Sequence, residues 1–570
     1  MKGLHEADLR HAKYYQLLLS AADDLYQEGG ASAELGLSAF DREWMNIRDG
    51  QARVQQYATV DDRAAELSNR YPLHGANILN LRFNPQEHLG WIKAALDAAR
   101  RLKDRAAEAA HLSNLGLVYE DIGELRRCLE CHQASLAVAR EIVDRRTEES
   151  TLGNLGNAHL ALSQYREAIE CYERQLALAT AIGDHRGQAN ALMNTGIAHW
   201  FLGEPRLAIN YYERAATIFR AADDRRGESQ ALGNLGNAWA DLGEPRRAIE
   251  YYEQDLAITR EIGDRLGEGQ ALGNLGAAYD DLGEHRRSIE YYEQWIAISQ
   301  EIGDRRREGF ALANLGIAYA NLGNPREAIR CHEQSLSIAR EIGDRGGEGG
   351  ALINLGVAHS DLGDLQRAIE YQQEALGIYQ EIGDRQGEAA ALGNLGMAFY
   401  LAGQVREALK LYDAALVMMR EIEDRRAEGK CLMNTGIAHY RLDEHQRSVE
   451  LLEEALRIFR EIGDRYSEGT ALCNLGNSSS ALGDDKLAAE LCSQALEIAR
   501  ETGDLRGEAN ALFGLALAMH RLGDEAKAHA DAEAALEIFE RIEDANTIKV
   551  REQLAEWRSL RISRSPGDSV

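Results

Sequence analysis

Apolar residues along most of the chain recur at steps of three and four, and the blocks that carry them come in twos. Over 225–264, Leu232, Leu235, Trp239 and Leu242 form one stripe, while Ile249, Tyr252, Leu256 and Ile258, with Tyr251 beside them, form a second. Such spacing puts each set on one face of a helix. Gly236 and Ala248 stand where the two helices cross, and their small size lets the backbones approach. The stretch therefore predicts an antiparallel helix pair.

Residue chemistry marks the corners. Gly263 suits the left-handed conformation that stops a helix, and Asp264 is placed to cap the next one. Glu268 follows in the first turn, where an exposed carboxylate would gain about 0.3–1 kcal/mol from the helix dipole. Gly243 closes the first helix of the pair, and Pro245 takes a first-turn position where its missing N–H costs nothing.

This punctuation returns every 40 residues. Asparagine stands at 114, 154, 194, 234, 274, 314, 354, 394, 434 and 474, followed by Leu-Gly except after Asn194 and Asn434, where Thr-Gly follows. The register predicts eleven 40-residue repeats over 105–544 and a degenerate first repeat over 65–104. In the latter, Asn84-Pro85 keeps step, Trp91, Ile92, Leu96 and Leu102 fill the second helix, and Pro72 disturbs the first. An irregular helical region is expected over 1–64, and a capping helix with a disordered tail over 545–570. Ile548, Leu554, Trp557 and Leu560 are expected to face inward there, because a stack of repeats needs a cap.

The set Leu232, Leu235-Gly236, Trp239, Ala248 and Tyr252 resembles the tetratricopeptide repeat, over about four fifths of the chain. The resemblance implies an all-α fold, a right-handed superhelical solenoid of stacked helix-turn-helix repeats. The longer form here, with Asn-Leu-Gly-Asn-Ala at 234–238 and Ile-Gly-Asp-Arg at 262–265, is similar to Pins-type scaffolds, which bind extended peptides along their groove, and to many bacterial arrays. The stretches His11-Ala12-Lys13-Tyr14-Tyr15 and Asp41-Arg42-Glu43-Trp44 resemble the helices that precede such arrays in bacterial NB-ARC-type signalling ATPases. No phosphate-binding loop accompanies them: the one Gly-Lys pair, Gly429-Lys430, is followed by Cys431 and lacks the spaced glycine. The resemblance thus implies a sensor arm without its ATPase domain, either a free-standing adaptor or a piece of something larger.

In that family the first helix of each repeat lines the inner surface, at places two, five, nine, twelve and thirteen when the packing glycine is counted as eight. The third repeat then presents Asn190, Met193, Ile197, Trp200 and Phe201, and the fourth and fifth present Gln230, Asn237, Asp241, Gln270, Asp280 and Asp281. The sixth and seventh add Phe310, Ile317, Asn321, Ile353, Val357 and Asp361. The eighth and ninth add Met397, Tyr400, Leu401, Met433, Ile437, Tyr440 and Arg441. These places vary between repeats while the core places do not, as recognition positions should. They describe an apolar groove with an acidic middle, suited to a protein or extended peptide with large apolar anchors and a Lys or Arg. The bland alternative is a superhelix tight enough for these side chains to pack on one another. The recurrent asparagines, Asn234 among them, are expected to bond between neighbouring repeats. The second asparagines, Asn157, Asn237 and Asn477, are better placed to read a peptide backbone.

Charge narrows the partners. With 64 basic against 93 acidic residues, net −29, the surface repels phosphate backbones and anionic membranes, which argues against nucleic acid and membrane. Seven scattered cysteines, and no apolar run suited to a signal or a span, point to the cytoplasm. Cys128-Leu-Glu-Cys131-His132 spells a haem attachment motif, but each of these residues fills an ordinary packing place of the repeat. His159, His199, His359 and His439 share the place of Trp239, on helices about 10 Å apart. One metal ion, with ligands near ~2 Å, cannot join them. No catalytic fingerprint appears, so the chain is expected to be a binding scaffold with no cofactor or metal and not an enzyme. A monomer is the expected state, and a self-assembling repeat protein forming dimers or filaments is the alternative.

Overall fold

The computed structural model describes residues 2–28, 30–82, 84–542, 544 and 546–564, and they are overwhelmingly helical. The chain divides into two compact halves, up to Gly283 and from Glu284. The first begins with α1 (Lys2–Glu28) and α2 (Gly30–Tyr57), packed on each other, then α3 (Asp62–His74), α4 (Ala76–Arg82) and α5 (Pro85–Leu102). The region expected to be irregular is thus two regular helices of 27 and 28 residues. Phe40, Ile47 and Val54 recur at steps of seven along α2 and meet Leu9, Ala12 and Leu19 of α1 in one core, a seam of coiled-coil type. Pro72 is accommodated inside α3, which ends two residues later.

Leading and trailing helices alternate from there. The first half continues with α6 (Arg105–Asp121), α7 (Leu125–Glu141), α8 (Arg145–Ala161), α9 (Tyr165–Ile182) and α10 (His185–Phe201). It ends with α11 (Pro205–Ala221), α12 (Arg225–Asp241), α13 (Pro245–Ile262) and α14 (Arg265–Asp281). The second half holds α15 (His285–Ile302), α16 (Arg305–Asn321), α17 (Pro325–Ile342), α18 (Arg345–Asp361), α19 (Leu365–Ile382), α20 (Arg385–Leu401) and α21 (Val405–Glu421). It closes with α22 (Arg425–Arg441), α23 (His445–Ile462), α24 (Arg465–Ala481), α25 (Asp485–Thr502), α26 (Leu505–Arg521), α27 (Glu525–Arg541) and α28 (Asn546–Arg564).

Each pair is held as its residues predict. Leu232, Leu235, Ala248, Ile249, Tyr252, Leu256 and Ile258 are buried, and each large aliphatic side chain among them contributes roughly 2 kcal/mol by leaving water. Trp239 is half-buried and Leu242 is the residue that follows α12. A Cβ on Gly236 would lie 2.3 Å from the Tyr252 ring, so only glycine admits the aromatic at the crossing. His132 and His332 lie over Gly116 and Gly316 in the same way, and burial pushes each imidazole down to about 4. The apparent haem motif is this packing.

The corners correct one expectation. Gly263 adopts φ 68° and Asp264 accepts the Gly267 N–H at 3.0 Å, as the sequence implies. Glu268, however, is buried and bonded to Arg260 at 2.8 Å and to Arg265, so it is an ion-pair residue and not an exposed dipole partner. Equivalent Arg–Glu bonds stand at Glu108, Glu148, Glu228, Glu308, Glu348, Glu388, Glu428, Glu468 and Glu508. At most of these corners the guanidinium comes from the preceding trailing helix and fastens it to the leading one, whereas at Glu308 and Glu388 the arginine lies on the leading helix itself and Gln300 and Gln380 make the bond across the corner.

Successive leading helices lie against one another at most steps: α6 with α8, α8 with α10 and α12 with α14 in the first half, then α16 with α18 and on to α24 with α26 in the second. Among the described residues no two successive trailing helices touch to a comparable degree. A stack closer on one side curves toward that side, so in each half the leading helices line the inner face. On α28, Val550, Leu554 and Trp557 are buried, whereas Ile548 is 64% exposed, contrary to the inward place expected of it. The side chain of Leu560 and residues 565–570, expected to be a tail, lie outside the described residues. No helix among the described residues is long and apolar enough to cross a membrane.

Candidate partner-binding face

In the first half the leading-helix face carries an aromatic edge. Trp200, 37% exposed, and Phe201, 50% exposed, meet edge to face with centroids 5.0 Å apart at the end of α10. Phe201 stacks on Tyr165 of α9 at 5.4 Å, and the Trp200 indole N–H donates to Asp241 of α12. Met193 and Ile197, expected as free anchors, are instead half-buried against the core, since their places point between the helices. Asp241 and Asp281 are exposed and Asp280 is half-buried. Surrounding protein, and then the charge of Asp280, push the Asp281 carboxyl above its ordinary range. Glu120, also on this face and unforeseen, is raised by burial and by Asp121.

Asn237 is exposed, and the Tyr252 hydroxyl donates to its Oδ1 at 2.8 Å, which orients the amide and leaves its NH2 group toward the face. Asn157 is held likewise by Tyr172 at 2.7 Å. Of the recurrent asparagines, Asn154 and Asn194 bond to the preceding repeat through Ser113 and Asn157. Asn394 and Asn474 instead bond to carbonyls of their own helices. The expected ladder between repeats is therefore local.

In the second half, Phe310 is 50% exposed, Ile317, Val357 and Leu401 are exposed, and Asn321 and Asp361 sit at helix ends. Burial raises the Asp361 carboxyl, with the Arg506 charge from α26 opposing it. Met397 is half-buried against the Tyr412 hydroxyl. Tyr400 is half-buried beneath the Arg441 guanidinium, 5.1 Å from its centroid, and exposed Tyr440 lies beside His445 at 5.1 Å. The histidines expected as packing residues close the helix ends. His199 and His439 bond to Glu204 and Glu444, five residues on, at 2.7 and 2.6 Å.

Three crevices that no single-helix pattern foretells open at one place in the lattice, between successive leading helices and along their N-terminal turns. Between α8 and α10 a cavity of about 450 Å³ is lined by Glu149, Gln175, Asp184 and asparagines. Between α16 and α18 one of about 330 Å³ is lined by Gly309, Phe310, Ala313, Ile342 and glycines. Between α24 and α26, and reaching α28, one of about 320 Å³ is lined by Tyr440, Tyr466, Asn477, Asn510, Phe513 and Lys549. The signal for the first was Glu149 itself, standing where other repeats have Ala, Gly or Ser.

The tetratricopeptide repeat family profile matches residues 147–221, 227–301, 307–381, 387–461 and 467–541. No curated protein sequence matches the chain. Among solved structures, a signal transduction ATPase with numerous domains carrying a tetratricopeptide repeat sensor, from Pyrococcus horikoshii, is 15% identical, with TM-score 0.45, covering 78% of this chain and 72% of that one. A Rap protein complexed with competence and sporulation factor is 15% identical, with TM-score 0.44, covering 63% and 99%. BtubC from P. vanneervenii is 20% identical, with TM-score 0.35, covering 38% and 92%.

Proposed function

The chain belongs to the tetratricopeptide repeat family, and from that premise we propose that it is a protein-interaction scaffold, holding an extended partner segment on the leading-helix face of either half. What carries the reading is the set of large apolar side chains left in water there. Trp200, Phe201, Phe310, Ile317, Val357, Leu401 and Tyr440 all project from leading helices, at places the lattice leaves free to vary. Exposed aromatic and aliphatic groups gathered on an inward-curving face mark a binding surface. Oriented amides such as that of Asn237 supply donors for a segment's backbone carbonyls. All seven cysteines are unpaired, which supports a reducing compartment as its place of work.

Selection of phage-displayed random peptides on the full chain tests this. Enrichment of segments with large apolar residues is expected. Trp200→Ser with Phe201→Ser should abolish capture of peptides bound to the first half, and Phe310→Ser with Tyr440→Ser those bound to the second. The unfolding profile should stay unchanged in both. Failure to enrich, or capture indifferent to both double variants, overturns the reading.

A further inference from the structure

The crevice between α8 and α10 holds a buried acid that the lattice does not require. Glu149 is 4% exposed and Gln175, behind it on α9, is 6% exposed. The Gln175 amide donates to Glu149 Oε1 at 2.7 Å, while Gln175 Oε1 is buried without a donor. Glu149 Oε2 has no hydrogen bond among the described residues. The contrast with the adjacent residue is direct: Glu148 receives Arg140 at 2.8 Å and Arg145 at 3.1 Å. Among the described residues no cation bonds to Glu149. Arg186, at the rim, lies 3.5 Å from Asp224, and Arg146 acts only through its charge. Burial, against the Gln175 hydrogen bond and with the Asp184 charge added, holds the Glu149 carboxyl above its ordinary range.

Burying a carboxylate without a cation is costly, and nothing in the repeat asks for it. The same place holds Ala109, Ala189, Gly269, Gly309, Gly349 and Ala389, and the place of Gln175 holds Ala215, Ala375 and Ala415. Glycines make the room: a Cβ on Gly187 would lie 2.8 Å from Glu149 Oε1, and one on Gly153 2.8 Å from Gln175 Nε2. The adjoining corner departs too. Of the corners leading into α6 through α26, the one into α10 is alone among the described residues in lacking an Arg–Glu bond, with Thr180, His185 and Gln188 in those places. Three departures from the period therefore meet at one cavity with two carboxylates on its wall, Glu149 and Asp184.

We propose that this crevice is a seat for an organic cation, an ammonium or guanidinium group that donates to Glu149 Oε2, Asp184 and the asparagine oxygens around them. The proposal goes beyond the scaffold reading and rests on this crevice alone. A bare metal ion fits less well, because no cluster of three or more metal-ligating side chains exists among the described residues and the space is far larger than an ion. The cation can be a free amine or the side chain of a lysine or arginine in a bound segment, and the two sources are separable.

Calorimetric titration of the full chain with butylammonium, butylguanidinium and acetyl-Ala-Lys-Ala-amide, with calcium chloride in parallel, tests it. Saturable 1:1 binding of an organic cation is expected, weakened tenfold or more by Glu149→Gln. The Glu149→Ala, Gln175→Ala double variant should abolish it without lowering the unfolding temperature, since Ala189 and Ala215 fill those places one repeat later. Tighter binding of the tripeptide than of butylammonium assigns the source to a side chain, and the reverse to a free amine. No saturable heat, binding indifferent to Glu149→Gln, or calcium bound in preference overturns the proposal. A fall in the double variant's unfolding temperature overturns it as well, by making the acid a structural residue.

Discussion

The crevice at Glu149 in the first half and the crevice at Gly309 in the second are the same construction 160 residues apart. Each lies between two leading helices, along their N-terminal turns, above an Asp cap, Asp184 or Asp344, and beside a glycine, Gly187 or Gly347. Their linings are opposite. The first places Glu149, Ser150 and Gln175 where the second places Gly309, Phe310 and Ser335. One is acidic and polar, the other apolar with an aromatic wall. Since the backbone frame is common to both, it cannot be the source of the difference. The chemistry of each crevice is set by a few side chains on a lattice that would fold without them, so the array has a row of interchangeable sockets and not one uniform groove.

Destroying the frame should matter most. A Cβ on Gly156 would lie 2.4 Å from the Tyr172 ring, which is completely buried and has nowhere to retreat. Gly156→Val should cost on the order of 3 kcal/mol, as overpacking of a tight crossing does. Hydrogen exchange is the suitable readout, because long repeat arrays need not unfold in one step. Amides of α8 and α9 should exchange roughly a hundredfold faster, with the second half unaffected. Loss of protection in both halves would mean that the two crevices do not belong to separately stable bodies.

The second test concerns whether buried acids at this place burden the fold. Asp255 and Ser229 repeat the Gln175 and Glu149 pair with the acid moved to the trailing helix. The Ser229 hydroxyl donates to Asp255, and burial pushes this carboxyl up to about 6. A folded-state pKa above the unfolded value near ~3.9 means that the native state is penalised once the group is charged. The penalty is full above pH 6 and relieved as pH falls toward 4. Asp255→Asn should therefore be more stable than the parent at pH 7.5, by on the order of 2 kcal/mol, and the advantage should vanish near ~pH 4. Equal stability at both pH values would mean that water or a neighbour relieves the charge. The buried charge of Glu149 would then be open to the same relief.

The period made most of this legible in advance. Asp104, Asp144 and their successors cap leading helices that start one residue later, and Gly263 and its equivalents stop trailing helices, because both signals act within a single turn. What escaped was tertiary. The partners of Glu268 lie eight and three residues before it on two different helices, so an exposed reading looked natural until the corner closed around it. Met193, Ile197 and Met397 satisfy the face spacing, yet their side chains turn between helices, which spacing alone does not resolve. The crevices depend on a trailing-helix residue behind each leading helix, Gln175 or Ser335, and no single-helix pattern joins the two. In the first hundred residues the seven-residue step of Phe40, Ile47 and Val54 was visible, but it does not share the 40-residue period.

The smallest effect sharpens the comparison at the edge of the face. Residues 41 apart touch along the ends of successive leading helices in both halves, but with opposite charge. In the first, Asp241 accepts from the Trp200 indole; in the second, Arg441 covers the Tyr400 ring. Each clamp holds an aromatic in a set orientation while the rest of the ring meets solvent. Asp241→Ala removes an exposed contact, so stability should change by no more than about 0.5 kcal/mol. The freed indole should nevertheless move: its N–H resonance in a nitrogen-15 spectrum should shift and lose protection from exchange, while that of the buried Trp91 stays in place. An unmoved Trp200 resonance would mean that Phe201 and Tyr165 alone orient the ring, and that the acid on this edge is left for whatever the face receives.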